Sequence, residues 1–179
     1  QADLIGVSLS SKIGKACYIP IGHNSKKCIK KDIVLKKLKP LLEDPSIKKI
    51  GQNIKFDFIV LYKHGINISS MEDTMLMSYV LDAGKNRHNM DVLSEIHLNH
   101  KTITFKDIVG SGKKEINFSE VDIEKAKDYA AEDADITFRL YKKFNKNLKD
   151  EKMVNIYEVF EKPMIKILAF MEIEGIKID

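Results

Sequence analysis

The chain has 179 residues, of which 44% are hydrophobic, so it can form one domain with a buried core. Its formal net charge is +4, no apolar run is as long as a membrane span, and no basic-then-apolar signal peptide opens the sequence. These features exclude a disordered chain and a membrane-spanning one, and we expect a cytoplasmic protein.

The positive charge comes almost entirely from lysine, since only Arg87 and Arg139 are arginine. Two explanations stay open: an AT-rich genome that favours lysine codons, and a surface that attracts phosphate without reading base sequence. Two cysteines form neither a disulfide framework nor a zinc site. The alternating apolar run around Cys17 predicts burial, and the lysines around Cys28 predict exposure.

The first third of the chain predicts strands before helices. Apolar runs at 4–9 and 16–21, joined by a turn-forming segment, predict a β-hairpin. A helix is expected from the N-cap candidate Asp32 to Pro45, because apolar residues recur there at nearly helical spacing. Residues 48–51 then form a short apolar segment that predicts a buried strand.

The rest of the chain is predominantly helical in pattern. Residues 102–114 are rich in glycine and lysine and predict an irregular segment. A small mixed sheet with helices around it argues for an α/β domain. Helices are predicted for the segment that ends at Gly65, for the segment that begins near Asp73, and for residues 90–98, 122–148 and 151–174.

Two aspartates are candidates for catalytic work. Asp57 lies four residues after Asn53, and Asp133 lies four residues after Tyr129, so each pair is expected to share a helix face. Asp133 falls beside a stripe of small residues that predicts burial, where an unpaired carboxylate is costly. A lysine or a divalent cation could offset that cost, and for either aspartate alone a surface position is a simple alternative.

Carboxylates that meet in one cleft would favour the cation. Mg²⁺ and Mn²⁺ prefer carboxylate and water oxygens, and two such ions about 3.5–4 Å apart can bind a phosphodiester and activate a water. Tyr129, one turn before Asp133, would be placed to hydrogen-bond that water. Glu132 and Asp135 project about 100° and 200° away from Asp133 around the helix, so we expect them to face solvent.

Three further residues are candidates for contacts to nucleic acid. Phe105 lies between Thr104 and Lys106, where it could stack on an unpaired base or pack as the core of a loop. Arg87 and His88 lie in a polar loop, where they could contact phosphate or stabilise the loop.

Five motifs occur in order along the chain: Gly51-Gln52-Asn53-x-Lys55-Phe56-Asp57, Asp73-Thr74-Met75-Leu76, Arg87-His88-x-Met90-Asp91, His100-Lys101-Thr102-Ile103-Thr104-Phe105 and Tyr129-Ala130-Ala131-Glu132-Asp133-Ala134-Asp135. Together they resemble the 3′–5′ exonuclease (proofreading) domain of bacterial DNA polymerase I, a family-A polymerase. The resemblance spans nearly the whole sequence.

The resemblance implies an α/β, ribonuclease-H-like fold of the DnaQ-like exonuclease type, in which helices flank a mixed sheet. It implies that Asp57 and Asp133 bind Mg²⁺ or Mn²⁺, with two ions in the complete site, and that Tyr129 orients the attacking water. It also implies contacts to a single-stranded DNA 3′ end, or primer terminus, from Phe105, Asn53, Arg87 and His88.

The same resemblance predicts the domain organisation. Residues 1–150 would form the exonuclease-like domain, and residues 151–179 would be a helical segment leading into a polymerase domain. The expected partners are therefore the primer terminus and a covalently following polymerase, with no membrane, in the cytoplasm of a bacterium.

One motif of the family, an Asp-x-Glu pair, is missing from the start of this sequence. The family carries an Asp-x-Glu pair on its first, central strand, upstream of where this sequence begins. Three explanations for the missing strand stay open: the sequence is part of a longer protein, another segment or another copy fills the place of the strand, or the strand was lost naturally. The leading hypothesis is a metal-dependent 3′–5′ exodeoxyribonuclease whose 179 residues are inactive alone. The alternative is a non-cutting scaffold or single-strand-binding module beside a polymerase.

Overall fold

A computed structural model of the protein describes residues 3–25 and 27–176, apart from the side chain of Lys113. The chain divides into two units: Gln1–Leu38 with Asn89–Leu140, and Lys39–His88 with Tyr141–Asp179. The strands and helices of the described residues are, in order, β1 (Gly6–Lys12), β2 (Lys15–Pro20), α1 (Lys31–Glu43), β3 (Lys49–Gly51), α2 (Ile54–Tyr62), β4 (Met71–Asp73), α3 (Thr74–Asp82), α4 (Met90–Leu98), α5 (Phe105–Val109), α6 (Ile123–Asp150), α7 (Val154–Ile156) and α8 (Lys162–Glu174).

The first unit begins with the predicted hairpin, which is confirmed. Strands β1 and β2 pair antiparallel, with Leu9 opposite Cys17. Gly14 makes the turn with φ of 74°, a conformation that favours glycine. Cys17 is exposed, so its predicted burial is wrong, and Cys28 is half-buried instead of exposed. Both strand faces of this hairpin are largely open, which is why alternation alone misplaced Cys17.

The core of the first unit forms around α6. Leu93 of α4 and Ile136 and Leu140 of α6 are almost completely buried. The segment 102–114 is not wholly irregular as predicted, because α5 lies within it. Thr104 caps α5. Its hydroxyl accepts a hydrogen bond from the N–H of Asp107, and the Asp107 carboxylate accepts one from the N–H of Thr104. The two bonds satisfy backbone donors that the start of a short helix would otherwise leave free.

The second unit is organised by a pair of parallel strands. Strands β3 and β4 pair with Gly51 beside Asp73, so two chain segments that lead into helices α2 and α3 end side by side. Helices α2 and α8 pack against each other over one apolar cluster. Its buried members are Ile54, Phe58, Ile68, Met71, Ile165 and Ala169.

A buried ionic network lies beneath these strands. Glu72 of β4 is 2% exposed and pairs with Lys48 at 3.1 Å and Lys162 at 2.9 Å. The Tyr157 hydroxyl donates to the same carboxylate and accepts from the Asp73 N–H. Burial raises the pKa of the Tyr157 phenol, so it remains a protonated donor. The network offsets the cost of burying charge because each member has a partner.

The predicted α/β class is confirmed by these alternating elements, although the strands of the described residues pair as two separate two-stranded sheets. The predicted start of α3 and the predicted ranges of α4 and α6 agree with the structure to within about two residues. None of the helices found among the described residues combines the length and apolar character needed to cross a bilayer. The predicted domain boundary near residue 150 stays a prediction.

Candidate active site

Tyr129 and Asp133 lie one turn apart on α6 and face each other as their spacing predicts. The Tyr129 hydroxyl donates a hydrogen bond to the Asp133 carboxylate. Burial raises the pKa of Asp133 to about 7, against the lowering effect of that hydrogen bond, and the charges of Glu132 and Asp91 raise it further. Oδ1 of Asp133 is buried and has no hydrogen-bond partner among the described residues. This carboxylate is therefore under-coordinated.

Asp91 was not among the predicted site residues, yet its charge acts on both Tyr129 and Asp133. It lies in the first turn of α4, and its Oδ1 accepts a hydrogen bond from the Thr102 hydroxyl at 2.6 Å. Asp91 belongs to the third sequence motif, but that motif does not show that it lies near Asp133, which is 42 positions away in the sequence.

Glu132 and Asp135 do not face solvent, and that prediction is wrong. Glu132 accepts from the His100 ring at 2.8 Å and from the Ile103 N–H at 2.7 Å. Asp135 accepts from the Gly14 N–H at 2.6 Å and pairs with Arg139 at 2.7 Å. Both carboxylates therefore hold loops against α6.

Two aromatic rings, those of Phe105 and Phe118, lie against Tyr129. Phe105 stacks on Phe118 with ring centroids 5.9 Å apart, and each contacts the edge of Tyr129 at 6.2 and 6.1 Å. Phe105 is 48% exposed. It is therefore not a core residue of its segment, while Phe118, which sequence reasoning did not select, is partly buried and holds it from behind. Phe118 in turn contacts the ring of His23 at 5.6 Å.

The second unit carries Asp57 and Asn53. Asp57 lies in the first turn of α2 and is exposed to solvent. Enough protein surrounds its carboxylate that desolvation raises the pKa of Asp57 to about 6, and the charge of Asp73 raises it further. Asn53, with φ of 60°, precedes α2 and leaves its side chain exposed without a capping bond.

Asp73 fixes the geometry around Asn53. Its carboxylate accepts from the N–H groups of Asn53 and Ile54 at 3.1 and 2.9 Å, and from those of Met75 and Leu76 at 2.9 and 3.4 Å. One buried side chain thus caps the starts of both α2 and α3. Burial raises the pKa of Asp73, and the four donors oppose that shift.

Arg87 and His88 differ in what they can contact. Arg87 is exposed. The His88 ring hydrogen-bonds Ser78 at 2.9 Å and lies edge-on to Tyr79, while its carbonyl accepts from Gln52 at 2.8 Å. Sequence left two roles open for His88, contact with phosphate and stabilisation of its loop. The contacts of its ring and carbonyl are of the second kind.

The sequence does contain one Asp-x-Glu triplet, Asp122-Ile123-Glu124, but it lies at the start of α6 and not on a strand. Asp122 accepts from the N–H groups of Glu124 and Lys125, and Glu124 pairs with Lys127. These carboxylates are engaged in capping and surface pairing, so they do not replace the pair expected on the leading strand.

The donor chemistry of Asp133 and Asp57 fits a hard divalent cation in part. Both supply carboxylate oxygens, the ligand type that Mg²⁺ and Mn²⁺ prefer, and Asp133 Oδ1 is an orphaned acceptor. Within residues 3–25 and 27–176, however, no three His, Cys, Asp or Glu side chains are grouped so that they could hold a metal ion. Asp57 and Asp133 belong to different units.

The chain matches known proteins over its whole length. A family model described as 3′–5′ exonuclease matches residues 1–149. DNA polymerase I of Rhizobium leguminosarum is 42% identical over 100% of this chain and 20% of its own, and that of Pseudomonas aeruginosa is 41% identical with the same coverage. DNA polymerase I of Borreliella burgdorferi is 39% identical. The chain thus spans about a fifth of the length of these relatives.

Solved structures agree in fold. Brucella melitensis NrnC superposes with a TM-score of 0.72 at 22% identity, covering 95% of this chain and 76% of that one. A structure titled as the POL domain of Pol1 from M. smegmatis with DNA primer-template and dNTP gives 0.70 at 20% identity, covering 93% and 25%. Such identities establish the fold alone, which is that of DnaQ-like exonucleases. With the family match over residues 1–149, the chain belongs to the 3′–5′ exonuclease family of DNA polymerase I.

Proposed function

We propose that this chain is the 3′–5′ exodeoxyribonuclease (proofreading) module of a DNA polymerase I, and that it hydrolyses phosphodiester bonds at a single-stranded 3′ end. The observation that carries the proposal is the buried Oδ1 of Asp133 beside Tyr129, which has no partner within residues 3–25 and 27–176, in a member of this family. Folded proteins rarely leave a buried carboxylate oxygen without a partner, and a cation would supply one.

Asp133 and Asp57 would hold Mg²⁺ or Mn²⁺, with two ions in the complete site. When bound, such ions neutralise the scissile phosphate and lower the pKa of water. The pKa values of about 7 and about 6 mean that protons compete with the cation below neutral pH. In NrnC of Brucella melitensis, solved structures are titled as bound to Mg²⁺ and to pGG, which supports this chemistry by analogy of fold.

Tyr129 would orient the attacking water. Burial, with the nearby charge of Asp133, raises the pKa of the Tyr129 phenol, so the hydroxyl stays protonated and can donate at neutral pH. Its hydrogen bond to Asp133 fixes where that donor lies. Loss of the Tyr129 hydroxyl would therefore disturb both the attacking water and the Asp133 carboxylate.

Phe105 would stack on the terminal base, since half of its surface is exposed while Phe118 supports its other side. Such stacking is worth about 1–3 kcal/mol per base and does not depend on sequence. The exposed Arg87 and Asn53 would contact phosphate and sugar. His88 would act through the loop that it holds. The proposed setting is the bacterial cytoplasm, with a polymerase domain following on the same polypeptide.

An inactive scaffold or single-strand-binding module is the second candidate. It is favoured by one observation: within the described part of the chain no set of three metal-binding side chains is assembled. The exposed Phe105 would serve strand binding equally well in such a module. Activity separates the two candidates, whereas binding of DNA does not.

The test follows a 5′-labelled single-stranded oligonucleotide on a sequencing gel with Mg²⁺ or Mn²⁺. We expect the 179-residue chain to trim little or not at all, and a version extended upstream through a strand with Asp-x-Glu to trim from the 3′ end. Asp133→Ala in the extended version should abolish trimming. Asp128→Asn, an exposed carboxylate on the same helix, should leave it unchanged.

Two results would contradict these expectations. Robust trimming by the 179-residue chain that Asp133→Ala removes would show that the leading strand is dispensable. An extended version that stays inert with Mn²⁺ while still binding the oligonucleotide would favour the scaffold.

A further inference from the structure

A series of ring contacts connects the candidate site to strand β2. Phe118 stacks on Phe105 and lies against the edge of Tyr129. The Phe118 ring also contacts that of His23 at a centroid distance of 5.6 Å, and the His23 ring lies edge-on to Tyr18 of β2 at 5.8 Å. Aromatic pairs have preferred relative orientations, so a rotation of one ring changes the position that its neighbour prefers. Tyr18 and His23 are thus connected to Phe105, although the proposed chemistry uses neither.

The contact between His23 and Phe118 is fixed through the backbone as well as through the rings. The Asn24 N–H donates to the Ser119 carbonyl at 2.9 Å, so the residues that follow His23 and Phe118 are joined directly. The turn that carries Phe118 is itself held, because the Asn117 side chain accepts from the Ser119 N–H at 3.0 Å. The two rings therefore stay side by side, and a change in the orientation of one reaches the other.

One hydrogen bond orients the His23 ring. The side chain is 7% exposed, and its Nε2 shares a hydrogen bond of 2.6 Å with the Tyr18 hydroxyl. The other ring nitrogen, Nδ1, has no hydrogen-bond partner among residues 3–25 and 27–176. Burial raises the pKa of the Tyr18 phenol to about 12, so the hydroxyl keeps its proton at neutral pH. Within the described part of the chain, the rotation of this imidazole thus depends on a single polar contact.

Tyr18 and Phe118 rest on the same apolar support. Both pack against one buried cluster, whose members are Val109, Val121 and Ala126. Tyr18 packs there through its ring, whereas its hydroxyl is occupied with His23. The hydrogen bond can therefore be removed without removing the packing.

We propose that Tyr18 and His23 are positioning residues for strand binding, and that they act through Phe118 to set the orientation of Phe105. This rests on the proposed function, in which Phe105 stacks on the terminal base of a single-stranded 3′ end. A stacking platform must present its face at one angle, and Phe105 is 48% exposed with Phe118 against its ring. The Tyr18–His23 hydrogen bond fixes the last ring of the series and thereby that angle.

Tyr129 has a second restraint that Phe105 lacks. It also contacts Phe118, but its hydroxyl donates to Asp133. Phe105 has no polar side-chain atom, so its orientation depends on its backbone and on its ring contacts. A disturbance that arrives through Phe118 therefore affects the strand-binding ring more than the residue that would orient water.

Fluorine NMR of the 179-residue chain tests the positioning without DNA and without activity. A single 4-fluorophenylalanine at position 105 reports the surroundings of that ring. Tyr18→Phe removes the hydroxyl and retains the ring, and we expect it to shift the resonance by more than the linewidth. Tyr62→Phe, the same change at an exposed tyrosine that packs on Phe58, is the matched control and should leave the resonance in place.

Two further variants connect the shift to the hydrogen bond. A Cβ at Gly6 would overlap the hydroxyl end of Tyr18, so Gly6→Ala should displace that side chain and shift the Phe105 resonance with every aromatic residue unchanged. His23→Phe keeps a ring beside Phe118 but removes Nε2. Because both substitutions break one bond, Tyr18→Phe should have no further effect on the resonance in the His23→Phe background.

Kinetics of the version extended upstream separate positioning from a loss of folded enzyme. Tyr18→Phe should raise KM for a single-stranded oligonucleotide about threefold to tenfold, since stacking on Phe105 is weakened, and change kcat by less than about twofold. A smaller folded fraction would instead lower kcat and leave KM unchanged. Tyr62→Phe should change neither. If the extended version binds DNA without trimming, the dissociation constant of the oligonucleotide takes the place of KM.

Three results would overturn the proposal. The first is a Phe105 resonance that stays in place in both Tyr18→Phe and Gly6→Ala, and the second is a full additional shift from Tyr18→Phe in the His23→Phe background. The third is a fall in kcat at constant KM. A shifted resonance and a weaker affinity for DNA in a version that never trims would support the positioning and contradict only the proposed function.

Discussion

The carboxylate of Asp73 accepts a hydrogen bond from the backbone N–H of Ile54 at 2.9 Å, which ties the end of strand β4 to the start of the helix that carries Asp57. The same side chain caps its own helix, α3. A residue with no proposed part in chemistry thus sets where a candidate metal ligand lies.

Asp73→Ala should therefore destabilise the fold. The substitution leaves backbone donors of two helices without an acceptor in a buried position, and we expect a loss of about 2–4 kcal/mol in the free energy of unfolding. Asp73→Asn keeps one acceptor oxygen and should lose less stability. Urea unfolding measures the free energy of unfolding of both variants. Asp82→Ala, which removes a surface ion pair with the exposed Lys85, is the control and should change stability by less than about 0.5 kcal/mol. An Asp73→Ala chain as stable as the control would contradict the double-cap role.

Asp133→Asn should stabilise the chain at high pH. Because the folded pKa of about 7 lies above the ordinary value, the folded state binds more protons than the unfolded state between about pH 4 and pH 7. The stability that this group contributes therefore falls as pH rises through that window. At pH 8 we expect Asp133→Asn to be roughly 1–3 kcal/mol more stable than the wild type, with little difference at pH 4. Denaturant unfolding of the wild type and of Asp133→Asn at several pH values measures this difference, with Asp128→Asn as the control. A difference in the free energy of unfolding that does not change with pH would refute the prediction.

Divalent cations should stabilise the folded chain more at pH 8 than at pH 5.5. Binding requires ionised carboxylates, and the raised pKa values of Asp133 and Asp57 place their ionisation between these conditions. Thermal unfolding with Mn²⁺, against NaCl of equal ionic strength, is the measurement. Asp133→Asn should remove most of the Mn²⁺ effect. An effect of the same size in that variant would place the cation elsewhere.

Glu132→Ala should loosen the segment before Phe105. The substitution removes the acceptor of the Ile103 N–H and of the His100 ring, at a cost of about 1–3 kcal/mol for groups left unpaired. Amide hydrogen exchange at Ile103 should speed up, while exchange at buried positions of α4 should follow only the global stability. Asp128→Ala on the same helix is the control. Unchanged exchange at Ile103 would show that other contacts hold the segment.

Local sequence patterns predicted many of the helices and strands. Helices α4 and α6 agree with their predicted ranges, and α3 with its predicted start, because apolar periodicity and caps depend on residues within a turn or two. Helix α5 was missed because its capping box lies in a stretch too short to show any period. Cys17 was misplaced because alternation in a two-stranded hairpin does not tell which face is covered.

The sequence by itself determined the family and the pairing of Tyr129 with Asp133, because motif order and one helical turn are properties of the chain alone. Only the tertiary structure decided which carboxylates have partners. Glu132 meets His100, Asp73 meets Ile54 and Asp91 acts on Asp133 across 32, 19 and 42 positions of sequence. Such contacts depend on how the elements pack, and packing rather than spacing leaves Oδ1 of Asp133 buried without a hydrogen bond from any residue in the described part of the chain.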